Sequence, residues 1–399
     1  MIRQHISHTS TSLFDHDRLM ELMDRANLDG LVAHSWPNYY YLTGLWTLEY
    51  AIDSRVRHFV VIPRYPVQSA IATFPSWEAM TLQSYNASTW IPKKILSGRF
   101  YVSGVPSLNG TQVATAWQAM VFAIQLRGLA RSRVGFELGQ LPVSLFRKLT
   151  SQFPYMEIVD VSDLLSSLRM IKTPEEIRRI QIASEIAETA SDEIIPQALP
   201  GTSERELAQA ITQGIVARRA DVLYVVTATG ASAGLGLPTH RLVQDGDVIR
   251  TQVAVSYRGY CASVGRTYVV GPPTEEQASL YRVAYGALQA GLAAIEPGRK
   301  AQQVFQAVMR VWVQAGYDRL RREHFGHGVG LELSEPPIFN FRDETLIRPG
   351  MVLTVKSPYF VHGLGGFAPE DTVLVGESEN TLLTHASPEL GGESINWLC

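Results

Sequence analysis

The sequence predicts an α/β domain over residues 1–165, followed by an α+β domain over residues 166–399 that carries a pseudo-twofold internal repeat. Three observations predict it. Short apolar runs alternate with stretches of helical spacing in the first part, and similar helix starts recur 97 residues apart in the second. A glycine-rich stretch, His324 to Pro337, then gathers titratable side chains where the backbone bends tightly. At 399 residues the chain is long enough for two cores.

Residues 16–27 place Leu19, Met20, Leu22 and Met23 at mostly helical spacing, and Gly30-Leu31-Val32-Ala33 reads as a buried strand. Similar runs at 58–62, 70–73, 134–137 and 158–160 predict further strands, with helices over 111–127 and 142–152. Such alternation builds a mixed sheet covered by helices. Tyr39-Tyr40-Tyr41-Leu42-Thr43-Gly44 is aromatic enough to be core rather than a binding wall. The domain boundary falls near Leu168 to Glu176, where Thr173 as N-cap, Pro174 and Glu176 start a helix. Ile177, Ile180, Ala183, Ala187, Ala190 and Ile194 trace its apolar face. A Ser203/Glu206 capping box follows Pro200-Gly201, and Pro297-Gly298 opens the equivalent helix. A shift of 97 superposes Leu207 on Val304, Ile211 on Val308 and Ile215 on Trp312. Long helices precede each, the second starting at Thr274 with Gln277 at the capping-box position.

A net charge of -3 and a pI near 6.4 give no basic field for nucleic acid and no polybasic patch for a membrane. Expected partners are a small molecule and a second copy of the chain. Cys261 and Cys399 support neither a disulfide framework nor a cysteine metal site. With no apolar core of a signal peptide and no spanning run, a cytoplasmic location is the default expectation.

The segment Gly326-His327-Gly328-Val329-Gly330, with Arg266-Thr267 after a hairpin at Gly259-Tyr260, Pro349-Gly350-Met351-Val352 and Glu370-Asp371-Thr372-Val373-Leu374-Val375, resembles the pita-bread family. That family comprises methionine aminopeptidases, prolidases, Xaa-Pro aminopeptidases and creatinases, and the resemblance covers roughly residues 165 to 385. It implies the pita-bread fold for the second domain, a creatinase-like first domain, and a site between the two repeat halves. In metal-dependent members, two aspartates, the Gly-His-Gly histidine and two glutamates hold two divalent cations. Here those positions carry Gln252, Ser263, His327, Lys356 and Glu370, so three of the five ligands are replaced. An ammonium adds repulsion where a divalent cation needs anionic oxygens. The resemblance therefore implies no metal and no cofactor, with Lys356 standing about where the metal sat and pairing with Glu370. The histidine that peptidases carry three residues before Pro238-Thr239 falls on Leu235, the second one falls on Ser334, and Glu335 is retained. Likeness to creatinase implies a homodimer in which Arg55, with Arg57 beside it, reaches a partner's site to hold a substrate carboxylate.

The expected activity is that of a metal-independent enzyme on a small amino-acid-like or amide-like substrate, hydrolysing a C–N bond as creatinase-like and ectoine-hydrolase-like members do. His327, Glu335, Lys356 and Glu370 are its catalytic candidates; Arg55, Arg57, Leu235, Gln252 and Ser263 are its substrate-binding candidates. Elimination, cyclisation or rearrangement in a biosynthetic pathway is the first alternative, and a catalytically silent binding module the second. A metal-dependent Xaa-Pro peptidase comes last.

Overall fold

The computed structural model describes residues 13–52, 58–82, 89–100, 111–195, 198–232, 234, 236–317 and 319–390. The chain divides into two compact units, Met1–Arg169 and Met170–Cys399. Among the described residues no helix is long and apolar enough to cross a membrane.

In the first unit, strands β1 (Gly30–Ala33), β2 (Val60–Pro63), β3 (Ile71–Pro75), β4 (Lys93–Ser97), β5 (Gln112–Val113), β6 (Arg133–Phe136) and β7 (Glu157–Asp160) form one sheet in the order β5-β4-β3-β2-β1-β6-β7. It is mixed as expected, because β1 runs antiparallel to β2 and parallel to β6. Helix α1 (His16–Arg25) starts at Asp15, whose carboxylate caps Arg18 N–H. The triple-tyrosine segment is core, as expected, and it forms a helix, α2 (Trp36–Thr43), capped by Ser35 and ended by Gly44 at φ 70°. An apolar residue at almost every position leaves no period to read. The helix predicted from 111 begins only at Ala116 (α3, Ala116–Leu126), because Thr115 caps it and Gln112–Val113 pairs with β4.

In the second unit, α4 (Pro174–Ile194) and α5 (Glu204–Ala217) each open on a full capping box, Thr173/Glu176 and Ser203/Glu206. Strands β8 (Asp221–Thr229), β9 (Val248–Tyr257) and β10 (Tyr260–Val269) follow. The β9–β10 hairpin turns on Arg258 and Gly259, both at positive φ (50° and 86°), as a tight two-residue turn requires. Helices α6 (Glu275–Ala293) and α7 (Ala301–Gln314) begin the second half, then β11 (Gly326–Gly328), β12 (Glu335–Ile338), β13 (Val352–Lys356), β14 (Tyr359–Val361), β15 (Gly365–Phe367), β16 (Glu370–Leu374) and β17 (Thr381–Leu382). The main sheet runs β12-β11-β13-β16-β10-β9-β8, with β17 paired to β16.

The repeat shows in the packing. Ile211 and Ile215 of α5 share one core with Ala183 and Ala187 of α4 and with Ile249, Val253 and Val264 of the sheet. Val308 and Trp312 of α7 share another with Leu288 of α6 and with Leu353 and Val355. Successive strand residues point to opposite faces, so the residues between these core positions face away from the helices. Arg250, Gln252, Ser263, Gly265, Lys356 and Glu370 are those residues. Thus the pattern that packs the helices also collects the polar side chains on one face.

Candidate functional site

A row crosses four strands of that face. Lys356 lies directly opposite Glu370, Glu370 opposite Gly265, and Gly265 opposite Gln252. Glycine at 265 is required by close approach: a Cβ there would lie 2.3 Å from Ala368 O and 2.9 Å from Glu370 Cβ. Across that gap the Glu370 carboxylate accepts from Gln252 Nε2 at 3.0 Å and, on its other oxygen, from Ser263 Oγ. Arg266, facing the helices, ties β10 to Asp371 of β16 at 3.3 Å and to Glu188 of α4 at 2.5 Å.

Lys356 does not take the partner expected of it. Its Nζ donates to His327 Nε2 at 3.3 Å, while His327 Nδ1–H donates to Gly328 O at 3.1 Å. The two bonds define one tautomer. Burial first, and then the Lys356 ammonium, push the imidazole down to about 4, so it is neutral at neutral pH. The expected Lys356–Glu370 pair is therefore replaced by two neighbouring arrangements. Glu370 is held by neutral donors, and Lys356 turns to the imidazole instead.

A cavity of about 400 Å³ opens here, bounded by Arg250, Gln252, Arg322, His324, Lys356 and Glu370. That volume suits a small molecule. Arg250 is 1% exposed, and the sequence reading missed it. It donates to Gly234 O at 2.8 Å and to Gln252 Oε1 at 2.9 Å, while its Nε has no partner. Burial pulls this guanidinium down to about 10, and the nearby Glu370 opposes that shift. The guanidiniums of Arg250 and Arg322 lie 5.5 and 5.9 Å from the centre of the Phe360 ring. One signal in the sequence does find Arg250, since it precedes Gln252 by two residues on a strand and must share its face.

Glu335 is not among the cavity's lining residues. Its carboxylate is buried against Lys172 Nζ at 3.1 Å, accepts from Glu332 N–H at 3.1 Å, and fills the space that a Cβ on Gly330 would need. Nearby Glu176, hydrogen-bonded by Tyr260 Oη at 3.1 Å, is pushed up to about 8 by burial. This cluster braces the glycine-rich turn. Arg55, Arg57 and Leu235 lie outside the described residues.

The five positions that hold metal in the family do not fit two divalent cations here. Only His327 and Glu370 keep an imidazole or carboxylate; each Glu370 oxygen already accepts a hydrogen bond from a neutral donor, and Lys356 occupies the His327 Nε2 lone pair that a metal would use. Among the described residues no group of three or more His, Cys, Asp or Glu side chains is placed to hold an ion.

Comparison with known proteins gives the lineage. The description "Metallopeptidase family M24" matches residues 178–377, and "Creatinase/Prolidase N-terminal domain" matches residues 16–171. A Xaa-Pro dipeptidase of Pyrococcus horikoshii is 26% identical over 377 residues, covering 94% of this chain and 97% of the relative. One of Pyrococcus furiosus is 31% identical over 63% of this chain and 74% of its own length. Among solved structures, a dipeptidase from Pyrococcus horikoshii superposes with a TM-score of 0.77 at 25% identity, covering 94% of this chain and 98% of that one. These findings correct the sequence expectation. The metal-independent, creatinase-like or ectoine-hydrolase-like enzyme gives way, together with its alternatives of elimination, cyclisation, rearrangement and silent binding. The relatives carry the name Xaa-Pro dipeptidase, the reading that had been placed last. The three replaced ligand positions that point away from a peptidase are few among the 377 residues aligned with the Pyrococcus horikoshii relative.

Proposed function

We propose, from the premise that the chain belongs to metallopeptidase family M24 and carries a creatinase/prolidase N-terminal domain, that it is a hydrolase of the C–N bond in small, Xaa-Pro-type dipeptides. The near end-to-end match with a Xaa-Pro dipeptidase is the observation that carries this reading, and a cavity of dipeptide size on the sheet face supports it. Amide hydrolysis needs a base for water, a cation at the carbonyl oxygen and a proton for the leaving nitrogen. Glu370 is the buried carboxylate lining the cavity, held in place by Ser263 and Gln252; it is assigned as the base through the lone pairs those bonds leave open, and it passes the proton it takes from water to the leaving nitrogen. The Lys356 ammonium is assigned to the carbonyl oxygen. His327 sets the direction of that ammonium through its Nε2 lone pair. Glu335 is given no chemical role, because Lys172 holds it elsewhere.

The same proposal includes a homodimer and a reducing, cytoplasmic setting. The test is proline release from a panel of Xaa-Pro dipeptides, with and without added Mn²⁺, Co²⁺ or Zn²⁺, alongside Lys356→Ala and Glu370→Gln. Release that falls at least a hundredfold in Glu370→Gln is expected. No release from any dipeptide under any metal condition would overturn the reading.

A further inference from the structure

The cavity carries more positive charge than its own residues neutralise. Arg250, Arg322 and Lys356 line it, and its buried carboxylate is Glu370; Glu323 also lines it but is solvent-exposed. Glu370 spends both oxygens on the neutral donors Gln252 and Ser263 rather than on a cation. Arg250 is the strongest sign of an absent ligand. It is 1% exposed, only two of its N–H donors have acceptors, and its Nε–H is buried with none. Glu370 is near but not bonded to it, and a buried guanidinium with no carboxylate on its N–H groups is costly, a cost that a bound anion removes. Lys356 gives one hydrogen to His327 and has others to offer. Arg322 is half-buried and bonds only backbone carbonyls, those of Pro358 and Arg321, so it too meets no anion. Phe360 lies within cation–π range of both guanidiniums and supplies an apolar wall of the cavity.

We propose that this cavity selects a small ligand with two acidic groups, one taken by Arg250 with Lys356 and the other by Arg322, its carbon frame lying along Phe360. Under the hydrolase reading, on which this inference rests, the substrate class is an acidic dipeptide, with one carboxylate at the C-terminus and the other on the side chain. Guanidinium and carboxylate pair through two parallel hydrogen bonds, which gives geometric selectivity as well as attraction. A neutral dipeptide leaves one cation unmatched.

The experiment measures binding by calorimetry to the full-length protein, using Ala-Pro, Lys-Pro, Asp-Pro, Glu-Pro, succinate and glutarate. Asp-Pro or Glu-Pro should bind at least tenfold more tightly than Ala-Pro and lose that margin as salt is raised. Arg322→Gln, at a half-buried position, should erase the margin between Glu-Pro and Ala-Pro. Arg250→Lys keeps a cation but loses the fork, and should weaken all carboxylate ligands about tenfold. Equal affinity for Ala-Pro and Glu-Pro would overturn the two-anion inference and leave the hydrolase reading standing. Binding of succinate or glutarate with no binding or cleavage of any dipeptide would support the inference and overturn that reading. Preference for Lys-Pro, or an unchanged margin in Arg322→Gln, would overturn the inference.

Discussion

At the scale of single residues, the chain uses the same buried types for opposite purposes. Lys172 and Glu335 are 1% and 2% exposed in their side chains and meet at 3.1 Å, so each removes the need for any other counter-charge. Lys356 meets only a neutral imidazole, and Arg250 only neutral acceptors. The first pair braces a turn, whereas the second group waits for a ligand. Glu176 makes the distinction measurable. Its carboxyl is pushed up to about 8 by burial, against roughly 4.3 in an unfolded chain. The folded state therefore holds this proton more tightly, and its stabilising effect is complete below the unfolded value and lost as pH rises toward about 8. In Glu176→Gln, which keeps the shape and cannot ionise, the melting temperature should fall less than in the wild type between about pH 5 and 8. Asp371, pushed up to about 6, contributes in the same direction in both proteins, so the difference between the two melting curves is the quantity to read. Parallel curves would clear Glu176 of this role.

At the scale of elements, the capping boxes and the 97-residue shift were legible because they depend on local chemistry. Thr173/Glu176, Ser203/Glu206 and Thr274/Gln277 each form the reciprocal bonds that their spacing predicts. Leu207, Ile211 and Ile215 are buried, as are Val304, Val308 and Trp312. Less was legible about the site, because sequence spacing does not say which atom a flexible lysine will reach. Lys356 and Glu370 are cross-strand neighbours, as the family register implied, yet their side chains diverge to His327 and to Gln252 with Ser263. Gly265 makes the divergence possible, and a substitution there tests it. In Gly265→Ala the added methyl meets Ala368 O at 2.3 Å, a backbone atom that cannot swing aside. Strands β10 and β16 must then separate, at a cost of about 1–3 kcal/mol. Urea melts should show that loss, and proline release should fall with it as Glu370 is displaced from Gln252. Full stability and turnover in Gly265→Ala would mean that the row across the four strands has no such tight fit.

At the scale of the whole molecule, the two units have separate cores: one set of residues around Val32, Val61 and Ile124, and others around Ile211, Val253 and Trp312. Every described residue that lines the cavity belongs to the second unit. Likeness to creatinase points instead to Arg55, with Arg57 beside it, reaching a partner's site to hold a carboxylate, and both lie outside the described residues. The two sources of positive charge predict different behaviour when the chain is cut. A fragment of residues 170–399 retains both repeat halves and both of their cores, so it should unfold as one cooperative unit. If Arg250, Arg322 and Lys356 take both acidic groups, the folded fragment should bind Glu-Pro within about threefold of the full chain. If an arginine of the first unit takes one of them, the fragment should lose the preference for Glu-Pro over Ala-Pro while keeping its fold, a loss of tenfold or more. Calorimetry on the two proteins at one salt concentration separates these outcomes, and light scattering on the full chain adds whether a second copy is present to lend its loop. A dimer whose fragment binds Glu-Pro as the whole chain does would place substrate recognition within a single second unit and leave dimerisation some other task.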